Sequence, residues 1–139
     1  MADSGVLTAF RFQVSSEVPL GGFSECGGLQ VETEVQDYPE GGQNAYVHKL
    51  PGRVKQTNLR LKRGLATQAL WDWYAAILDG DIARRSVSVR LLDGTRTVRA
   101  EWRLFRAYPV KWIGPDLNAT QNQVAAETIE LVHEGIQKG

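Results

Sequence analysis

Apolar and polar residues alternate with a period of two in segment after segment of this chain. Phe10, Phe12 and Val14 alternate with Arg11 and Gln13, and Leu29, Val31, Thr33 and Val35 alternate with Gln30, Glu32, Glu34 and Gln36. Leu59 and Leu61 follow the same rule against Asn58, Arg60 and Lys62. Successive side chains of a strand point to opposite faces, so this pattern predicts strands with one covered face. Val87, Val89 and Leu91 form one arm of a predicted hairpin, and Val98, Ala100, Trp102 and Leu104 form the other. Asp93-Gly94 between them is the sequence of a type I′ turn. Val124–His133 reads as a last strand with less cleanly divided faces.

One segment departs from this period. Leu70, Trp73, Tyr74 and Ile77 recur at spacings of three and four, which predicts a helix. Thr67 suits its N-cap, and Gly80 suits the left-handed position just past its end. About six strands and one helix point to a mainly β domain, a sandwich or barrel closed by the helix. At 139 residues, with no linker or internal repeat, the chain is expected to be a single domain over 1–139. Asp37–Arg53 and Tyr108–Gln123, rich in Pro and Gly, are expected to be long loops ordered against a partner.

Charge and cysteine narrow the function. Sixteen Lys and Arg balance sixteen Asp and Glu, a poor basis for nonspecific nucleic-acid binding by counterion release. The charges are nonetheless segregated: residues 1–50 hold 7 acids and 2 bases, and residues 84–111 hold 8 bases and 2 acids. Such a chain can bind copies of itself if the two groups reach facing surfaces. Cys26, the lone cysteine, excludes an internal disulfide. The start, Met1-Ala2-Asp3-Ser4, lacks the pattern of a secretory signal, and no apolar run approaches the ~18 residues of a membrane span. Synthesis in the cytoplasm without a signal peptide, and no membrane insertion by the chain itself, are therefore expected.

No motif builds an active site. Leu29-Gln30 follow the Gly21–Gly28 run where a phosphate loop needs Lys-Ser/Thr, so the run reads as a turn into the next strand. Cys26 stands where a nucleophile elbow around Ser24 needs Gly. His48 and His133 lack ligands at metal spacing. Glu32 and Glu34 read as a solvated edge or as partners of Arg60 and Lys62, rather than as a glycosidase pair. The bases of Arg84–Lys111 are interleaved with Trp102, Phe105 and Tyr108, but the hairpin period turns many of these aromatics inward. No catalytic, cofactor-binding or metal-binding residue is expected. The competing reading is a small β-barrel ligand-binding protein or enzyme in which Cys26, His48, Glu32 and Glu34 converge on a pocket.

A series of motifs in fixed order then resembles a known family. It opens with Phe-x-Phe-x-Val at Phe10–Val14 and GFSECGGLQVETEV at Gly22–Val35, then YPEGG at Tyr38–Gly42, LPG at Leu50–Gly52 and NLRLKRG at Asn58–Gly64. LWDWY at Leu70–Tyr74, the Asp-Gly hairpin, AYPVKWIGPDLNA at Ala107–Ala119 and ETIELVHEGI at Glu127–Ile136 complete it. The chain resembles the tail tube (inner tube) proteins of contractile phages and of extracellular contractile injection systems. Cys26 departs from the family's more usual aliphatic residue.

The resemblance implies an antiparallel β-sandwich or barrel with a single helix, whose sheets join those of neighbours in a hexameric ring. It implies stacked rings around a lumen that conducts protein or DNA cargo after sheath contraction, with no enzymatic activity and no cofactor. The implied partners are copies of the chain, the contractile sheath, a baseplate and spike hub, and tape-measure and terminator proteins. The implied location is a phage virion tail or a contractile injection particle. Expected contacts between subunits or rings are Asp37, Tyr38, Pro39, Glu40, Asn44, Tyr46, Val47 and His48, with Trp112 and Ile113.

Overall fold

A computed structural model describes residues 10–39, 47–117 and 126–139. Among them are nine strands and one helix: β1 (Phe12–Ser15), β2 (Pro19–Gly27), β3 (Val31–Pro39), β4 (Val47–Gln56), β5 (Leu59–Ala66), α1 (Gln68–Leu78), β6 (Arg85–Leu92), β7 (Val98–Ile113), β8 (Glu127–Val132) and β9 (Gly135–Lys138). All pairings are antiparallel. The order β6-β1-β2-β5-β8-β7 closes through a β6–β7 pairing into a six-stranded barrel, and β9 is added along β7. β3 and β4 form a separate two-stranded ribbon.

The alternating apolar residues fill the barrel. Val14, Leu20, Phe23, Leu59, Leu61, Val87, Val89, Leu104, Ile129 and Leu131 are all buried there. Burial of one such side chain stabilises by about 1.5–3 kcal/mol. The helix adds Leu70 and Trp73 to the same cluster. Thr67 caps it: its Oγ1 accepts from the Leu70 N–H at 3.4 Å and donates to the Pro19 carbonyl at 2.8 Å. Gly80, at φ +98°, follows its end as expected. The Trp73 indole N–H donates to the Ala83 carbonyl at 2.7 Å, which ties the helix to the chain entering β6.

Four local expectations change. The Gly21–Gly28 run is not a turn, because Gly21–Gly27 lies in β2, paired with β5. Its small residues make room for the Phe23 ring: a Cβ on Gly21 would lie 2.7 Å from Phe23 Cε2. The Asp93-Gly94 connection is not the expected two-residue turn. Arg96 N–H bonds the Asp93 carbonyl at 3.0 Å and Asp93 N–H bonds the Thr97 carbonyl at 3.0 Å. The left-handed residue is Arg96, at φ +65°, as in three-residue hairpin loops. The Thr95 hydroxyl and the Thr97 backbone N–H hold the Asp93 carboxyl well below the usual carboxylate range.

Asp37–Arg53 and Tyr108–Gln123, read as long loops, are largely strand where described. Asp37–Pro39 and Val47–Arg53 belong to β3 and β4, and Tyr108–Ile113 is the second half of β7. Proline donates no ladder hydrogen bond and is confined to edges and bulges. Pro51 lies on a two-stranded ribbon beside a register shift, and Pro109 borders another. β7 pairs with β6 along Val98–Ala107 and with β8 along Tyr108–Ile113. Arg106, at φ +51°, marks the changeover. Its guanidinium pairs with Glu134 between β8 and β9.

Candidate assembly surface

The β3–β4 ribbon has two unlike faces. Directly opposed residues of an antiparallel pair share a face. Val31 with Gln56, Thr33 with Val54, Val35 with Pro51 and Asp37 with Lys49 make one face, whose middle carries the apolar Val54, Val35 and Pro51. Glu32 with Lys55 and Gln36 with Leu50 lie on the other. Lys55 Nζ reaches the Glu34 carboxylate at 2.6 Å, and Lys49 Nζ reaches Asp37 at 2.9 Å. Val35 is 58% exposed, Val31 50% and Val54 49%, and none joins the barrel core. The alternation predicts a covered face, whereas the valines of this face stay about half exposed and outside the core cluster of the described residues.

The expected contact residues divide between two places. Asp37, Tyr38 and Pro39 at the end of β3 come beside Lys49, His48 and Val47 of β4, with Tyr38 opposite His48 and Pro39 opposite Val47. Glu40, Asn44 and Tyr46 lie outside the described residues. Trp112 and Ile113 end β7, opposite Ile129 and Thr128 of β8.

Trp112 belongs to an aromatic cleft that sequence reading did not assemble. Its ring meets that of Trp71 on α1 edge-on, with centroids 5.0 Å apart, and Trp71 meets Tyr74 at 6.3 Å. The Trp112 indole N–H donates to Glu127 Oε2 at 2.7 Å, and the Tyr74 hydroxyl donates to the Val110 carbonyl at 3.1 Å. The cleft holds about 190 Å³. That is below the ~300–1,000 Å³ of typical small-molecule pockets. The signal available in the sequence was Trp71 itself, off the apolar stripe of the helix. β9 adds a further feature: among the described residues it pairs only with β7, so its outer edge is open.

Of the groups in the competing enzyme reading, Cys26 lies on the barrel, whereas Glu32, Glu34 and His48 belong to the β3–β4 ribbon. Cys26 lies in β2 opposite Leu61, and burial pushes its thiol up to about 11, away from the reactive thiolate. Glu32 and Glu34 sit on the exposed ribbon beside Lys55. Among the described residues no three His, Cys, Asp or Glu side chains cluster as metal ligands, and no helix is long and apolar enough to cross a membrane.

Comparison with known proteins gives this surface a context. The family model described as T4-like virus tail tube protein gp19 matches residues 8–137. A chain of the extended sheath–tube complex of the PVC extracellular contractile injection system is 25% identical, with a TM-score of 0.73 over 94% of this chain and 88% of that one. A chain in the baseplate structure of the anti-feeding prophage is 27% identical, with a TM-score of 0.70 over 93% and 92%. Hcp1 from Flavobacterium johnsoniae shares the fold at 14% identity, with a TM-score of 0.52 over 94% and 95%. No curated protein sequence matches significantly.

Proposed function

The chain belongs to the T4-like virus tail tube protein gp19 family, structural proteins rather than enzymes, and from that premise we propose how it builds its tube. Six copies form a ring, rings stack around a lumen, and the β3–β4 ribbon is the arm each copy lays on a neighbour. The observation that carries this reading is the uncovered apolar face of the ribbon, Val31, Val35 and Val54. Moving each half-exposed valine fully out of water is worth on the order of 1 kcal/mol, repeated at every subunit. Asp37, Tyr38, Pro39, Val47 and His48 of this arm, with Glu40, Asn44 and Tyr46 between them in sequence, are the proposed contacts. Trp112 and Ile113, with the cleft at Trp71, form a second contact. The open edge of β9 is a third, where a neighbour's strand can continue the sheet.

Unlike patches joined head to tail close into rings or propagate as filaments, and a stacked tube uses both. Chains like this one occur in a sheath–tube complex, a baseplate and a sheath/tube terminator. The same partners therefore suit this chain: a contractile sheath outside, a baseplate with its spike hub at one end and a terminator at the other. A tape-measure protein sets the length, and protein or DNA cargo passes through the lumen. The 139 residues act as one tube domain within a phage tail or injection particle.

Negative-stain microscopy of sheathed particles made from the native gene cluster tests this reading. Hollow cylinders of uniform width containing this chain are expected. Particles that assemble fully while lacking it would overturn the proposal.

A further inference from the structure

The loop between β1 and β2, the start of β6 and part of β7 border an open concavity of about 700 Å³ whose lining includes three arginines, Arg84, Arg85 and Arg103. Two of them are held in place by aromatic faces. Arg84 Cζ lies 5.3 Å from the centre of the Tyr108 ring, and Arg85 Cζ lies 5.0 Å from that of Trp73. Among the described residues neither has a carboxylate within salt-bridge distance, whereas Arg103 lies 3.8 Å from Glu101. Ser86 and Ser88 add hydroxyls, and Glu17 is the lone acid of the lining. Val18 and Phe105, 45% and 40% exposed, complete the rim. A guanidinium fork that is pre-positioned and unpaired is suited to carboxylates that accept two parallel N–H bonds.

The charged face of the β3–β4 ribbon carries the complementary groups. Glu32 stands opposite Lys55, whose Nζ pairs with Glu34, and Leu50 lies further along the same face, 46% exposed. The two surfaces are complementary in kind: carboxylates and an exposed leucine on the ribbon, and arginines with the apolar Val18 and Phe105 around the concavity. Among the described residues no ion pair joins these two surfaces within one chain. The geometry points to a second copy of this chain as the occupant: the Glu32–Glu34 face of one subunit docks in the Arg84–Arg85–Arg103 concavity of the next. The segregation of acids and bases along the sequence thereby becomes a lock between subunits. The apolar face of the same ribbon stays available to another neighbour. This inference rests on the tube reading and assigns one of its contacts.

Charge reversal on the full chain, assembled with its native particle proteins, tests it. One variant carries Glu32→Lys and Glu34→Lys, a second carries Arg84→Glu and Arg103→Glu, and a third carries all four changes. Each half-reversed variant is expected to melt near wild type and to lower tube yield by about tenfold or more. The full reversal restores yield by re-pairing the charges. Normal tubes from both half-reversed variants, or a full reversal as defective as the worse half, would overturn the assignment.

Should the second variant fail to fold, Arg84→Gln with Arg103→Gln keeps both side chains polar. Its tube yield is expected to fall and to lose the salt sensitivity of wild type, and a yield equal to wild type at every salt concentration overturns the inference. A short duplex DNA binding in an Arg84-dependent manner, with assembly indifferent to Glu32 and Glu34, would reassign the concavity to nucleic acid. Failure of wild type to form tubes would instead remove the tube reading, and this contact with it.

Discussion

Gly64 stands opposite Phe23 where β5 passes β2. A Cβ there would meet the Gly22 carbonyl oxygen at 2.0 Å and Phe23 Cα at 2.6 Å, both backbone atoms that cannot swing aside. Gly64→Ala therefore forces two barrel strands apart, and overpacking of this kind costs about 1–3 kcal/mol. A thermal melt of the isolated subunit should show that loss, and an unchanged midpoint would mean the strands part freely. Cys26 gives a pH signature. Its thiol ordinarily loses its proton near 9.0, and burial in the folded chain pushes this to about 11. The unfolded chain thus deprotonates first, so the contribution of the thiol is complete below about pH 9 and is lost as pH rises toward 11. Stability should fall more steeply across that window in wild type than in Cys26→Ala, read by denaturant titration at each pH. Parallel curves for the two proteins would show a thiol that burial does not perturb.

At the scale of elements, the helix was the most legible part of the sequence, because its signals are local. Thr67, the Leu70–Ile77 stripe and Gly80 lie within about four turns of one another and take the predicted positions. The strands containing Pro51 and Pro109 were not legible. Whether a proline breaks a strand depends on which of its edges is paired, and that is set by residues distant in sequence. The ribbon shows the same limit differently. Its alternation correctly predicts a strand with an apolar face, but nothing in β3 or β4 says that this face lies outside the core of the described residues. Val35→Asp distinguishes the two kinds of face. At an exposed position it should leave subunit stability within about 0.5 kcal/mol of wild type while suppressing tube formation, measured by melting and microscopy on the same preparation. A large loss of subunit stability would place Val35 in the fold rather than at an interface.

At the scale of the whole molecule, the barrel is closed and the proposed assembly surfaces lie outside it. Closure through β6–β7 leaves the chain a complete core of its own. Among the described residues the ribbon, the Trp71–Trp112 cleft and the outer edge of β9 remain exposed. A subunit of this design should fold at low concentration and gain stability on assembly, since a partner that binds only the native state raises the melting temperature by mass action. The midpoint should rise with protein concentration once tubes form and stay constant below that point. A constant midpoint in preparations that contain tubes would mean that the interfaces contribute little.

The sequence by itself determined a mainly β chain with one helix, the limits of that helix and most of the buried residues, and the order of its motifs identified the family. Each of these follows from periodicity or local capping, which act over a few residues. The joining of the two ends of the sheet, the passage of β7 from one partner strand to another, and the gathering of Arg84, Arg85 and Arg103 around one concavity were decided by the tertiary structure alone. They depend on strand pairing between segments far apart in the chain, and pairing is a relation between two segments that neither encodes separately.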